Sequence, residues 1–233
     1  MRNRGFEILL FVTAAAFAYL IWFVFFVAPP AQAAAGGIAQ KILYFHAPAG
    51  YAMYLCGTVC GVASAAYLLR PTDGRDAWAR AGAECALAFG AMMLVSGPFW
   101  AKKAWGVYWT WDPRLTTTML SVLIYAALVV LRAFSGSGEA ERRFAAALGV
   151  LGTINLPIIH YSVQKWGGNH PTVIGKGGGG LKHPDMLHAL TVGFATMTLF
   201  AIVLLVLRAR LASTQARLAR IEEAAVARGA LEA

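Results

Sequence analysis

The chain has 233 residues, of which 59% are hydrophobic and only 13% are charged, and its formal net charge is +9. Its mean hydropathy of +0.60 is too high for a soluble domain of this length, which excludes a soluble globular protein. The positive charge does not indicate a nucleic-acid partner, because most of it is expected to border the cytoplasmic face of a membrane, near anionic lipid.

Six apolar runs are each close to the roughly 20 residues that a helix needs to cross the hydrocarbon core of a bilayer. Because lipid offers no partner to an unpaired backbone group, such continuous runs are predicted to be helices. The start of the third run is the least well defined, since it carries Glu84. The runs are 8–28, 49–69, 81–100, 116–134, 144–163 and 186–207. The predicted fold class is therefore all-α, a polytopic integral membrane protein with six transmembrane helices.

The positions of lysine and arginine predict the orientation of these helices. Thirteen of the 20 basic residues lie in the N-terminus, the second and fourth connections and the tail, although the other three connections are longer in total. The positive-inside rule therefore predicts that both termini are cytoplasmic. The outer loops are then 29–48, 101–115 and 164–185. The chain is interpreted as a single membrane domain over residues 1–207, followed by a basic cytoplasmic tail over 208–233.

The end of the first run, VAPPAQAAAGG, is similar to a signal-peptidase site, with Ala31-Gln32-Ala33 before Ala34. The apolar core of a signal peptide usually has about 7–15 residues, and this run is longer. We therefore expect an uncleaved first helix; cleavage, the alternative, would remove it and leave the outer loops in place. No amphipathic leader rich in Arg and Ser precedes the run, which favours a bacterial plasma membrane over an imported organelle protein.

The stretch WGVYWTWDPRLT, residues 105–116, places three tryptophans where the chain is expected to leave the membrane on the outer side. We call it the tryptophan loop. One interpretation is an aromatic belt of the kind found at membrane interfaces. Asp112 and Pro113 are also a favoured pair for starting a helix, as N-cap and first helical residue. Arg114 has an ordinary interpretation as well, in which its side chain snorkels to the interface.

All five histidines fall in predicted outer loops or at the outer ends of spans, and histidine is the commonest neutral nitrogen ligand of metals. They are His46, His160, His170, His183 and His188. For His160 and His188, which lie within spans, a hydrogen-bonded packing role competes with a functional one. His183 is next to Pro184 and Asp185, and it has an alternative interpretation as an ordinary solvated loop residue.

The predicted outer side has the types of residue that a haem-binding site needs. Its iron takes one or two axial ligands, for which histidine is a standard choice. Its flat apolar ring is expected to lie against tryptophan faces, and its propionates against basic side chains. The candidates are His46 and His170 for the iron, Trp105, Trp109 and Trp111 for the ring, and Lys102, Lys103 and Arg114 for the propionates. Zinc fits less well, because the sequence has no HExxH spacing and no cysteine cluster.

The tryptophan loop resembles the WWD signature of haem-handling membrane proteins, which has the pattern WGxxWxWD in an outward loop. Two further stretches, KILYFHAPAG and INLPIIHYSV, resemble the cytochrome c maturation protein C (CcmC) branch of that family, as does WDPRLT. The resemblance covers roughly residues 41–170. It departs in the fifth loop, which is glycine-rich over 175–180 and carries His183 as a second candidate in place of His170.

This resemblance implies a specific function. His46 and His170 would be the axial ligands of a b-type haem that rests on the tryptophan loop, with Trp105, Gly106, Trp109, Trp111, Asp112 and Arg114 as further binding residues. The family holds this haem, without being an enzyme, while a membrane-tethered haem chaperone (CcmE) attaches it covalently to itself. An ABC transporter pair (CcmA and CcmB) and a small single-span subunit (CcmD) complete the assembly in the bacterial inner membrane. Two alternatives remain at this stage, a haem lyase acting directly on apocytochrome c and a non-haem docking subunit.

Overall fold

The computed structural model describes residues 4–32, 36–134, 138–170 and 181–228. Within these ranges the secondary structure is helical, without strands. A π-helix, Phe23–Val27, continues the first α-helix, and a short 3-10 helix, Gly37–Ile42, leads into the second. The α-helices are α1 Arg4–Trp22, α2 Leu43–Leu69, α3 Asp73–Trp105, α4 Pro113–Phe134, α5 Glu139–Trp166 and α6 Pro184–Ala227.

Each of the six helices is long and apolar enough, together with its adjoining turns, to cross a membrane. The predicted all-α fold with six spans is therefore confirmed. Two sequence features fall partly or wholly outside the described residues. These are the possible cleavage site, which includes residues 33–35, and the glycine-rich segment 175–180.

Several helices extend further than the apolar runs predict. The helix α2 begins at Leu43, so that residues 43–48 of the predicted outer loop 29–48 are helical. The helix contains Pro48, which has no N–H to donate to the Tyr44 carbonyl one turn earlier. A Cβ on Gly193 of α6 would lie 2.5 Å from that carbonyl oxygen, so α6 packs directly against this point.

The helix α6 continues through most of the predicted basic tail, to Ala227. The segment 208–228 contains neither proline nor glycine and is rich in Ala, Arg, Leu and Glu, which are strong helix formers. Hydropathy marks only the apolar part of such a helix, which explains why the apolar run stops about 20 residues earlier.

The helix α2 lies at the centre of the bundle and packs against α3, α5 and α6, while α4 packs on α5 and α1 on α6. Small residues allow the closest approach of neighbouring helices, as is usual in membranes. A Cβ on Gly82 of α3 would lie only 2.5 Å from the backbone nitrogen of Cys60 on α2. The core between the helices is closed by large side chains such as Phe89, Tyr125 and Met197.

The two ends of the bundle differ in character. We call the end that carries the tryptophan loop the tryptophan end, and the opposite one the terminal end. At the terminal end the start of α1 meets α6, where the guanidinium of Arg210 lies 4.8 Å from the ring centroid of Phe6. Glu84, the acid that obscured the start of the third run, is paired there with Arg80 at 3.1 Å and Arg208 at 2.6 Å.

Candidate functional site

His46 lies in the first turn of α2, at the tryptophan end. Its Nδ1 is 2.9 Å from the hydroxyl oxygen of Ser96 on α3. The 3-10 helix before α2 is itself held to α3, because the indole N–H of Trp100 donates to Gln40 Oε1 at 3.0 Å. The segment before His46 and the His46 ring are therefore both held to α3.

The helix α3 ends at Trp105, and Gly106 reverses the chain in a left-handed conformation with φ +79°. This conformation is accessible to glycine at little cost. Lys102 closes the turn by donating from Nζ to the Gly106 carbonyl at 2.9 Å, and the same ammonium lies 5.3 Å from the ring centroid of Tyr108. Lys102 is therefore engaged within the loop, whereas Lys103 next to it is exposed.

The three tryptophans of the loop and Trp100 of α3 form two perpendicular pairs. The ring centroids of Trp100 and Trp105 are 5.4 Å apart, and those of Trp109 and Trp111 are 5.9 Å apart, with interplanar angles of 83° and 84°. Trp105 and Trp109 are half-buried, but Trp111 is 75% exposed. Among the tryptophans of the loop, Trp111 therefore presents the largest exposed aromatic face.

Asp112 joins the tryptophan loop to the segment after α5. One carboxylate oxygen, Oδ1, accepts from the Arg114 backbone N–H at 2.8 Å and caps α4, which confirms the predicted helix start at Asp112 and Pro113. The other oxygen, Oδ2, accepts from the backbone N–H groups of Asn169 at 2.7 Å and His170 at 3.3 Å. Because the residue is only 6% exposed, both of its oxygens act in a shielded site where such bonds are strong.

This link brings the two predicted iron ligands to the same region. Ser96 of α3 contacts His46, and Asp112, which follows the end of α3, holds the His170 backbone. His183 behaves differently, because it caps its own helix: its Nδ1 accepts from the Asp185 backbone N–H at 3.2 Å. His183 is thus engaged in capping α6, whereas the His170 backbone is held beside the tryptophan loop, and His170 stays the predicted partner of His46.

Arg114 ties α4 to α5, since its Nη2 donates to the His160 carbonyl at 2.9 Å. Its Nε is buried without a hydrogen-bond partner among the described residues, and so is the hydroxyl of Thr110 in the tryptophan loop. Buried donors usually have partners, so this N–H is an exception among the described residues. The His160 ring itself is exposed and packs on Tyr161, with centroids 4.9 Å apart.

His188 has a structural role at the tryptophan end of α6. Its Nε2 is 3.0 Å from the Tyr19 hydroxyl, and its ring centroid is 4.6 Å from that of Phe23. These contacts fasten α1 and the π-helix to α6. This outcome agrees with the packing interpretation of His188.

Sequence reasoning did not single out Ser96, although the structure places its hydroxyl on His46. It named Asp112 as a helix cap and as a haem-binding residue of the resemblance, but missed its bonds to Asn169 and His170. A metal-binding histidine needs a partner for its second ring nitrogen, but that rule does not indicate where in the chain the partner lies.

Comparison with known proteins identifies the family. The family model described as CcmC, heme exporter protein C, matches residues 1–224. The chain belongs to the CcmC family. This result confirms the resemblance found in the tryptophan loop and its flanking stretches.

Individual relatives agree with this assignment. The chain is 34% identical to Heme exporter protein C of Bradyrhizobium diazoefficiens over 167 residues, which are 70% of this chain and 63% of the relative. It is 33% identical to Heme exporter protein C of Escherichia coli K12 over 136 residues, 58% and 55% of the two chains. It is also 30% identical to a cytochrome c biosynthesis ccmC-like mitochondrial protein of Marchantia polymorpha over 175 residues, 75% and 74%. The match therefore spans about half to three quarters of these relatives.

The site residues fit a haem. Haem iron already has four ring nitrogens and takes one or two protein ligands, so two neighbouring histidines suffice. A bare metal ion would need more, and the described residues contain no group of three or more His, Cys, Asp or Glu that could hold one. The exposed face of Trp111 and the unpaired Arg114 Nε match the apolar ring and the anionic propionates of the same molecule.

Proposed function

We propose that this chain takes part in haem export for cytochrome c biogenesis by holding a b-type haem at the outer face of the membrane. The names of the family and of its bacterial relatives support the export role. The bond from the His170 backbone to Asp112, beside the exposed Trp111, carries the proposal for the site. Two candidate iron ligands, exposed tryptophan surface and an arginine N–H without a partner among the described residues lie at the same end of the bundle.

Each residue has a distinct role in this proposal. His46 and His170 would supply the two protein ligands of the iron, and Asp112 holds the backbone that carries His170. Trp105, Trp109 and Trp111 cover one edge of the ring, with Gly106 providing the turn between them. Arg114 would bind a propionate, with its Nε–H as a donor that has no partner among the described residues. The vinyl edge stays open to a haem chaperone.

The site holds and releases its cargo and forms no covalent bond, so the protein acts as a transporter-associated component and not as an enzyme. The proposed recipient is the chaperone CcmE, and the proposed assembly includes the ABC transporter subunits CcmA and CcmB and the small subunit CcmD. Release requires weaker iron ligation or a change of conformation, which the ATPase can drive if it binds one conformation more tightly.

Transfer to the chaperone tests this function directly. In a bacterial strain without its own CcmC, we would measure covalent haem on tagged CcmE after denaturing electrophoresis. Wild type should support haem attachment, and the His46→Ala and His170→Ala variants should not. Trp78→Ala, at the terminal end, is the control that should behave as wild type.

Other results would favour another function. Haem attachment to an apocytochrome without any chaperone would indicate a lyase. Full attachment with both histidine variants would leave the tryptophan loop as a docking surface for partner proteins.

The proposed outer location of the site has its own test. All three native cysteines are buried, so a single introduced cysteine can be labelled selectively. With an impermeant maleimide applied to the periplasmic side, Lys103→Cys should react and Arg217→Cys, on the exposed far part of α6, should not. The reverse pattern would place the tryptophan end in the cytoplasm and contradict the proposal.

A further inference from the structure

The hydroxyl of Ser96 touches two groups at once. It donates to the carbonyl oxygen of Met92, one turn earlier in α3, at 2.7 Å. Its oxygen also lies 2.9 Å from Nδ1 of His46. A serine hydroxyl has one proton and two acceptor lone pairs, so it can donate to only one of these two neighbours.

The Met92 carbonyl decides where that proton lies. A carbonyl oxygen can only accept, and a hydroxyl oxygen 2.7 Å away must donate to it or suffer the repulsion of two facing lone pairs. The hydroxyl of Ser96 therefore donates its proton to the Met92 carbonyl oxygen. Ser96 then meets His46 as an acceptor, which requires a proton on Nδ1.

The tautomer of His46 follows from this requirement. A neutral imidazole carries one proton, so a protonated Nδ1 leaves the lone pair on Nε2. Nε2 is then the only ring nitrogen able to bind a metal. The ring position is restricted as well, because a Cβ on Gly97 would come within 3.1 Å of His46 Cε1. The ring thus lies against the backbone of α3 beside the hydrogen bond.

We propose that Ser96 is a positioning residue that sets the Nε2 lone pair and the ring orientation of His46 for binding haem iron. The ligand part of this inference rests on the proposed function. The tautomer part belongs to the haem-free protein and can be measured without haem. A partner that accepts from the second ring nitrogen also makes the ligating nitrogen more basic.

The experiment compares Ser96→Ala and Ser96→Thr with a matched control, Ser213→Ala. Ser213 makes the same type of bond in α6, to the Ala209 carbonyl at 2.8 Å, but it lies beyond the apolar run on the terminal side of the helix. Threonine keeps the hydroxyl at position 96, and alanine removes it. A general effect of losing a serine bond within a helix should therefore appear equally in the control.

The first readout is the tautomer in the haem-free protein, from nitrogen-15 NMR of labelled histidine at about pH 8.5, where an ordinary imidazole is neutral. The His46 signals are assigned by their loss in His46→Ala. Wild type, Ser96→Thr and Ser213→Ala should show a single form with the proton on Nδ1. Ser96→Ala should show a mixture of the two tautomers. A proton on Nε2 in wild type, or an unchanged tautomer in Ser96→Ala, would overturn the inference.

The second readout is haem affinity in detergent. Loss of a hydrogen-bond partner behind a ligating histidine typically lowers metal affinity by roughly 10–100-fold, and for this neutral partner we expect about 10-fold for Ser96→Ala. Ser96→Thr and Ser213→Ala should bind as wild type. Unchanged affinity in Ser96→Ala would refute the positioning role. If wild type itself binds no haem, the proposed function fails, while the tautomer measurement still decides the hydrogen-bond direction.

Discussion

The carboxylate of Asp112 accepts a hydrogen bond from the backbone N–H of His170 at 3.3 Å, across 58 positions of sequence. The same carboxylate caps α4 through its other oxygen. One buried acid therefore sets both the start of the helix after the tryptophan loop and the place of a candidate iron ligand. This double use makes Asp112 the most informative residue to change.

Asp112→Asn should separate the two uses of this residue. An amide has one acceptor oxygen, so whichever way it turns, its NH2 group faces backbone N–H donors on one side. Asparagine is nevertheless a good N-cap, which favours the orientation that keeps α4 and breaks the link to Asn169 and His170. We expect unfolding to become easier by about 1–3 kcal/mol and haem binding to weaken, measured by thermal unfolding and haem titration. Wild-type haem affinity in this variant would show that the link does not position His170.

The choice between the two candidate second ligands gives another prediction. His183→Asn should keep the cap of α6, because asparagine is a favoured N-cap residue, and should keep the haem spectrum of wild type. His170→Asn is the matched variant and should lose the second ligand. A spectrum changed by His183→Asn and unchanged by His170→Asn would reverse the assignment.

Trp111 should contribute to haem binding and little to stability, because it is 75% exposed. We expect Trp111→Ala to weaken haem binding by about 1.5 kcal/mol, roughly tenfold in Kd, with an unchanged melting temperature. Trp78→Ala, which removes a 42% exposed tryptophan from α3 near the terminal end, should leave haem binding unaltered. Equal effects of the two variants would mean that the tryptophan loop is only an interfacial belt.

The terminal end should govern stability without affecting the site. Arg132 and Asp76 form a bidentate ion pair in which each side chain is 12% exposed. Removing one partner leaves a buried charge, so Arg132→Ala should destabilise the protein by about 3–5 kcal/mol. The control is Arg143→Ala in the exposed pair with Glu139, which should cost about 0–1 kcal/mol. Both should show wild-type haem spectra at a temperature where they are folded, and a shifted Arg132→Ala spectrum would indicate coupling between the two ends.

Most of the fold could be predicted from the sequence, because local hydropathy identifies membrane spans. The start of α4 was also predictable, since Asp112 and Pro113 act on the next few backbone groups. The ends of other helices could not be predicted in this way. For example, α6 continues to Ala227 through residues that are polar but strongly helix-forming.

The site was predictable in part. The candidate ligands were identified through a recognisable motif and its flanking stretches. The contacts that orient them join residues 50 or more positions apart, such as His46 to Ser96 and Asp112 to Asn169. No local sequence pattern predicts contacts between residues so far apart, and nothing in the sequence around Ser96 distinguishes it from other serines in helices.

The central claim is that His46 and His170 jointly bind haem iron, and the absorption spectrum of the detergent-purified protein tests it most directly. The protein would be co-expressed with its chaperone under haem-replete conditions, as wild type, His46→Ala and His170→Ala. We predict a Soret band in wild type that is lost or shifted in both variants. A colourless wild type, or a His170→Ala spectrum identical to that of wild type, would contradict the account.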